Sequence, residues 1–148
     1  MREIAECGLP SALEVMGERW SFMILRASFN GIRHFEDFQG QLGIARNILS
    51  NRLHGLVENG ILKREPVPGD RRRIEYCLTE KGIDLLPALV ALRQWGEKYG
   101  ARTPSSLTIV DARDRRPIDP IRLHGADGRP LCYEELEWEE ASNVGRND

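Results

Sequence analysis

Residues 31–79 of this 148-residue chain read GIRHFEDFQGQLGIARNILSNRLHGLVENGILKREPVPGDRRRIEYCLT, and this stretch decides the fold. Apolar side chains recur at helical spacing from Phe35 to Leu42, and Gly43 suits the left-handed backbone that ends a short helix. A second helix is predicted over residues 45–59, because its leucines fall on one face and most of its polar side chains on the other. The pattern is that of a helix-turn-helix.

A hairpin is predicted directly after the second helix. Asn59-Gly60 tolerates left-handed backbone angles and ends the helix, and residues 61–64 begin a strand. Pro68 to Asp70 turn the chain, and the residues that follow alternate well enough to pair back. A wing over residues 61–78, with Arg71, Arg72 and Arg73 at its tip, predicts a winged helix-turn-helix: mostly α, with a small β wing.

The charge of this region differs from that of the whole chain. Residues 44–73 contain seven Lys or Arg against three Asp or Glu, a local net charge of +4, whereas the chain carries −2. Phosphate binding needs accessible positive charge, and base reading needs short polar or guanidinium groups on a helix. A basic patch on an acidic chain favours a site-specific DNA binder over indiscriminate coating of nucleic acid. Either feature alone is also an ordinary solvated surface.

Residues that match a known family are spread in order over positions 7–99. They are Cys7, Pro10, Ala12-Leu13, Gly17, Arg19-Trp20, Ile24-Leu25-Arg26, Gly31, Arg33-His34-Phe35, Leu49 to Leu53, Leu56, Gly60 to Arg64, Glu75-Tyr76, Leu78-Thr79, Gly82 and Trp95. In these positions the chain resembles the HxlR-type winged-helix transcriptional regulators, relatives of the MarR group. The resemblance implies a bacterial or archaeal regulator, more often a repressor, that binds near-palindromic operator DNA as a homodimer.

The residues after the wing independently favour a homodimer. Thr79 is a predicted helix N-cap and Pro87 does not fit mid-helix without a kink, so one helix is predicted from Glu80 to Leu86 and another from Pro87 to Tyr99. Their apolar stripe comprises Leu85, Leu89, Leu92 and Trp95. A partner subunit would bury this stripe together with the N-terminal helix, although packing on the chain's own core is the alternative. Two-fold symmetry would place the recognition helices about 34 Å apart.

Residue chemistry assigns the predicted DNA contacts. Arginine bridges the O6 and N7 atoms of guanine, and asparagine pairs with adenine. The predicted groove-facing set is Arg46, Asn47, Ser50 and Asn51. Arg52 matches the family motif, but its angular position leaves either a phosphate or an intramolecular carboxylate as its partner. Arg71 to Arg73 are expected on phosphates or in the minor groove, which makes binding salt-dependent, and Arg33 is expected to clamp the DNA backbone or to form an ion pair.

Two features of the sequence indicate what kind of signal such a regulator would respond to. Cys7 matches the position through which redox-responsive members of the family sense oxidants or electrophiles. The alternative is that Cys7 is simply a small apolar side chain packed in the dimer interface. Trp20, Phe29 and Trp95 are predicted to line a pocket for a small planar effector, with plain core filling as the alternative. The leading hypothesis is therefore a small-molecule- or redox-responsive regulator.

The last third of the chain departs from a minimal family member. The predicted domains are residues 1–100, for DNA binding and dimerisation, and residues 101–148, an appendage of net charge −3. Turns at residues 114–117 and 126–129 predict a small antiparallel β meander, and an acidic end is expected to be disordered after about residue 141.

The appendage is similar in spacing and turn composition to the zinc ribbon of some longer relatives. Its Cys132, His124 and carboxylates do not supply a thiolate-rich set of four ligands, so no metal and no cofactor is predicted.

Several classes of protein are disfavoured. There is no Gly-rich phosphate loop, HExxH motif or nucleophile elbow, and the three histidines are scattered, so an enzyme is not predicted. Three cysteines without a secretory signal, and no apolar run long enough for a bilayer, predict a cytoplasmic protein with no membrane partner. The remaining alternative is a winged helix that binds an acidic protein through its arginine hairpin and does not read DNA.

Overall fold

The computed structural model describes residues 7–100, 105–140, 142 and 144. The chain divides into two units, residues 1–90 and 91–148. The helices and strands of the first unit are α1 (Leu9–Met16), α2 (Arg19–Phe29), α3 (Phe35–Leu42), α4 (Arg46–Glu58), β1 (Leu62–Val67), β2 (Asp70–Leu78), α5 (Glu80–Ile83) and the start of α6 (Leu86–Tyr99). The predicted fold class, mostly α with a small β wing, is confirmed. The predicted domain boundary at residue 100 stays a prediction.

Local backbone chemistry sets the ends of these helices. Gly43 has a φ of 62°, the left-handed geometry that ends α3. The Thr79 side chain accepts a hydrogen bond from the Gly82 N–H at 3.1 Å, so the predicted N-cap of α5 is confirmed. α5 ends at Ile83 rather than at the predicted Leu86. α6 begins one residue before Pro87, which the first turn accommodates because the amides there need no intrahelical partner.

A single core in the first unit orients α4. The largest fully buried side chains are Phe38, Ile24, Leu25, Leu49, Leu53, Leu56 and Leu62. Each such side chain contributes roughly 1.5–3 kcal/mol by leaving water. Three of them lie on α4, so the predicted apolar face is buried and the polar face of α4 is turned to solvent.

The wing is a two-stranded antiparallel hairpin. Leu62 pairs with Leu78 and Arg64 with Tyr76, while an irregularity follows the Pro66–Ile74 pair. The hairpin is also held at its base, because the Tyr76 N–H donates to the Arg33 carbonyl oxygen at 2.8 Å and His34 Nδ1 lies 3.0 Å from the Ile74 carbonyl oxygen. These contacts fix the wing to the segment that leads into α3.

The second unit contains the rest of α6 and the appendage. Single antiparallel bridges, Val110–Pro117 and His124–Pro130, flank the two predicted turns, and a short 3-10 helix spans Tyr133–Glu135. The predicted meander is therefore limited to one bridge per turn in the described residues. Prolines take part in both bridges, and they lack the N–H group that would extend a ladder. The predicted disordered end lies mostly outside the described residues.

None of the helices in the described part of the chain combines the length and the apolar composition that crossing a bilayer requires.

Candidate nucleic-acid interface

The polar face of α4 forms one side of the candidate interface. All four residues of the predicted groove-facing set are exposed, as is Arg52: Arg46, Asn47, Ser50, Asn51 and Arg52. The helix can present this face because Leu49, Leu53 and Leu56 hold its opposite side in the core. The arrangement gives short polar and guanidinium groups a common direction, which base reading in a major groove requires.

Arg46 is positioned by α3. Its Nη1 lies 3.1 Å from Glu36 Oε1, and its guanidinium carbon lies 4.7 Å from the centre of the Phe35 ring. The ion pair is exposed on both sides, and pairs of this kind are worth about 1 kcal/mol or less. Arg46 is therefore held near the start of α4 by contacts weak enough to exchange for a phosphate or a guanine edge.

The sequence left two partners open for Arg52, a DNA phosphate and a carboxylate of the same chain. In the structure Arg52 pairs with the carboxylate. Its Nε lies 3.1 Å from Glu18 Oε2. Glu18 also caps α2, accepting hydrogen bonds from the backbone N–H groups of Trp20 and Ser21 and from the Ser21 hydroxyl. Burial raises the pKa of Glu18, but these hydrogen bonds and the Arg52 charge outweigh it and hold the pKa below its ordinary value of 4.5. Arg52 thus links α4 to the N-terminus of α2.

The wing supplies a second group of cations. Val67 pairs with Asp70 and Pro66 with Ile74, so residues 71–73 of β2 have no register partner on β1. All three of these arginines are exposed, and the Asp70 carboxylate accepts from the Arg72 backbone N–H at 3.1 Å. The tip therefore carries three guanidinium groups on a segment that bulges from the ladder.

Arg33 lies beside the base of the wing. Its Nη1 is 4.0 Å from Glu75 Oε2, at the limit of an ion pair, and its side chain is more than half exposed. Both of its expected contacts, with a DNA phosphate and with a carboxylate, remain open to it.

The face of the wing that carries residues 63, 65, 75 and 77 holds a cluster that the sequence analysis did not single out. Glu65 is opposite Glu75, and a ligand atom of each lies within 4.8 Å of the other and of Cys77 Sγ. Lys63 Nζ lies 3.1 Å from Glu65, which offsets part of the negative charge. Burial and then the Glu75 charge raise the pKa of the Cys77 thiol, so it stays protonated at neutral pH. The alternation of residues 63, 65, 75 and 77 along paired strands was the signal for this cluster.

A cavity of about 470 Å³ in the first unit lies beside Phe29. It is lined by Ser28, Phe29, Gly31, Ile32, Arg33, Tyr76, Cys77, Leu78 and Ile83. Of the predicted effector residues only Phe29 contributes. Trp20 is nine residues away along α2, about 13 Å at 1.5 Å per residue, and packs against the core instead.

Trp95 belongs to the second unit. There its indole is 64% exposed, and its ring centre lies 5.8 Å from that of Tyr99.

Two residues of α4 that the sequence analysis left out of the site also face solvent. Ile48 is 37% exposed. His54 Nε2 lies 3.2 Å from Glu58 Oε1 on the same helix. The signal for Ile48 was its angular position beside Asn47 and Asn51, and an exposed aliphatic group on such a face can contact a thymine methyl. Cys7, the predicted sensor, is exposed ahead of α1.

Two core-anchored helices, the second with an exposed polar face, followed by an arginine-tipped hairpin, define a winged helix-turn-helix protein. Residues 15–104 match the HxlR-like helix-turn-helix family. The chain belongs to this family.

Relatives of the chain are described as transcriptional regulators, not as enzymes. A helix-turn-helix regulator of Mycobacterium tuberculosis, itself described as uncharacterized, is 51% identical over 88 residues, which cover 60% of this chain and 56% of that protein. The match thus spans little more than half of that relative.

Among solved structures, PA1607, described as a candidate transcription factor, superposes with a TM-score of 0.84 at 39% identity, covering 92% of this chain and 96% of the other. The reduced form of the redox regulator HypR gives a TM-score of 0.55 at 27% identity, covering 62% and 92%.

Proposed function

We propose that this protein is a sequence-specific DNA-binding transcriptional regulator that works as a homodimer. The observation that carries the proposal is the exposed polar face of α4 beside a hairpin whose three tip arginines bulge from the sheet. In this reading α4 lies in the major groove, and Arg46, Asn47, Ser50 and Asn51 contact base edges. The wing arginines lie on the backbone or in the minor groove, and Arg33 clamps a phosphate.

Arg52 has a supporting role in this proposal. Its guanidinium pairs with Glu18 and so links α4 to α2, and its exposed edge is available to a phosphate.

Exposed apolar side chains support the homodimer. Leu13 on α1 and Leu92 on α6 are each more than half exposed, as is Trp95. Large apolar side chains that helices leave in water are costly and mark interaction surfaces. A two-fold dimer would bury them and space two copies of α4 for an operator of two half-sites.

The signal in the proposed function is an oxidant or a small molecule that weakens repression. The exposure of Cys7 and the likeness to a redox regulator support the first, and the cavity beside Phe29 supports the second. The half-buried Cys77 is a poor sensor because its pKa is raised.

Fluorescence-anisotropy titration tests the DNA-binding part of the proposal. The purified protein is titrated against a labelled duplex from its own upstream intergenic region and against a scrambled duplex, each with and without reductant and over a series of salt concentrations. Tight binding to the first duplex alone supports the regulator. Equally weak binding to both duplexes, together with no site recovered by selection from random DNA, would contradict the proposal. It would favour the alternative that the arginine hairpin binds an acidic protein.

A matched pair of variants separates the site from general electrostatics. Asn51→Ala removes a predicted base contact, while Arg113→Ala removes a cation from the appendage, where its partner is Asp111 at 2.7 Å. The first should lose selective binding and the second should leave it unchanged.

A further inference from the structure

The appendage, residues 105–140, has almost no interior of its own. No residue described from position 91 onward is buried, and in the appendage only Val110, Asp111, Gly125 and Leu131 are even half-buried. Ordering a backbone costs conformational entropy at every residue, and burial of apolar surface must offset that cost. The residues of the second unit do not supply this burial to one another.

The same segment exposes many large apolar side chains. They are Leu107, Ile109, Ile118, Ile121, Leu123, Tyr133, Leu136 and Trp138, together with an α6 stripe formed by Leu92, Trp95 and Tyr99. A buried Tyr or Trp removes about 150–250 Å² from water, and a Leu or Ile removes roughly 60–120 Å², from its transfer free energy and the free energy per unit of apolar area. The four aromatic and seven aliphatic side chains, most of them half exposed or more, therefore present on the order of 900 Å². A stable dimer buries about 800 Å² on each partner.

Polar side chains of α6 hold the appendage in place. Gln94 accepts from the Ile121 backbone N–H at 2.7 Å, and Arg93 donates to Ser105 Oγ at 3.0 Å and to the Leu107 carbonyl oxygen. These bonds fix the path of the appendage along the helix that carries the exposed stripe, but they bury none of its apolar side chains.

We propose that residues 105–140 form a dimerisation arm, which buries its apolar side chains against the arm and the α6 stripe of a second copy of this chain. Three observations select this occupant. The exposed apolar area matches what a dimer needs, and the arm adjoins the stripe already assigned to the dimer. The structural match to PA1607 covers 92% of this chain, and this coverage must include most of the arm because the arm is about a quarter of the chain. A second protein therefore has a similar arm. A second copy is the partner that accompanies every chain.

The proposal rests on the homodimer of the proposed function, and one variant pair separates the two. Leu107 is 60% exposed, and its neighbour Thr108 is also exposed, so an arginine at either position removes little packing within one chain. In sedimentation velocity of the full chain, Leu107→Arg should weaken dimerisation about 100-fold, as expected when a charge enters a buried apolar contact. Thr108→Arg should dimerise like the wild type.

The outcomes distinguish the arm from the α6 stripe. If Leu107→Arg and Thr108→Arg dimerise equally while Leu92→Arg does not, the dimer stands and the arm is not part of it. If the wild type is monomeric at micromolar concentration, both the dimer and the arm are refuted.

Hydrogen exchange of the unmodified protein gives a second readout that does not depend on whether a variant folds. Amides of residues 105–123 should exchange slowly at concentrations where the dimer forms and rapidly where it dissociates. Exchange that is independent of protein concentration would overturn the proposal.

Discussion

Replacing Glu18 with alanine should destabilise the DNA-binding half more than the loss of one surface carboxylate would. The Glu18 side chain accepts hydrogen bonds from two backbone N–H groups at the start of α2 and from the Ser21 hydroxyl, and it pairs with Arg52 on α4. The substitution therefore removes a helix cap and an inter-helix link together.

The magnitude can be estimated from these contacts. Loss of an N-cap costs about 0.5–2 kcal/mol. The Arg52 pair is about a third to a half exposed, so solvent screening limits it to about 0.5 kcal/mol. Ser21 is buried, and its hydroxyl would lose its carboxylate partner at a cost of about 1 kcal/mol, the low end for such groups. The total is about 2–3.5 kcal/mol, and the melting temperature should fall by about 4–14 °C for a chain of this length.

Urea denaturation of the full chain measures this change, with Glu36→Ala as the control. Glu36 also pairs with an arginine at 3.1 Å, but it is exposed and caps nothing, so its removal should cost about 0.5 kcal/mol or less. Arg52→Ala, which removes only the ion pair, should cost about 0.5 kcal/mol and so lie close to the control. Equal stability of the Glu18→Ala and Glu36→Ala proteins would refute the claim that the cap and the buried hydroxyl dominate.

The same residue gives a pH dependence with a definite sign. Because the pKa of Glu18 is lowered in the folded protein, its contribution is complete above the unfolded value of about 4.5 and is lost as the pH falls through the folded pKa. The stability difference between wild type and Glu18→Gln should therefore shrink in acid. A difference that is constant from pH 7 to pH 3 would show that the carboxylate charge does not matter.

Three further predictions concern DNA contacts, backbone space and thiols. Arg72→Ala should weaken binding to every DNA sequence and reduce by about 1 the slope of log affinity against log salt concentration. Arg46→Ala should cost about 1–3 kcal/mol of binding free energy on the operator and relax the preference at one base position. Equal losses on all sequences for both variants, measured by anisotropy, would contradict these separate roles. Gly82→Ala should destabilise by more than about 2 kcal/mol because its Cβ would clash with the Ile61 carbonyl oxygen, while Gly40→Ala, with open space inside α3, should stabilise by about 0.5–1 kcal/mol; thermal melts of the two variants test the contrast. Cys7→Ser should abolish any oxidant response of DNA binding and Cys77→Ser should retain it, because burial and Glu75 raise the pKa of the Cys77 thiol; a response that survives in Cys7→Ser would exclude Cys7 as the sensor.

Local sequence patterns were sufficient for the winged-helix elements. The leucine spacing predicted α4 to within a residue at each end, because one face of this helix is buried and periodicity reports burial directly. Gly43 and Thr79 predicted a helix end and a helix start, since their effects act on the backbone within a few residues. The same patterns placed the polar face of α4 and the arginine tip of the wing.

Contacts between distant residues were beyond these patterns. Sequence spacing does not reveal that Arg52 pairs with Glu18 or that residues 71–73 bulge from the ladder. The appendage shows the same limit, because its turns were readable while its lack of an interior was not. The sequence by itself determined which residues form helices, turns and the basic patch, because these depend on neighbours within a turn or two. Only the tertiary structure decided which charges are paired and which apolar side chains stay exposed, because both depend on which segments the core brings together.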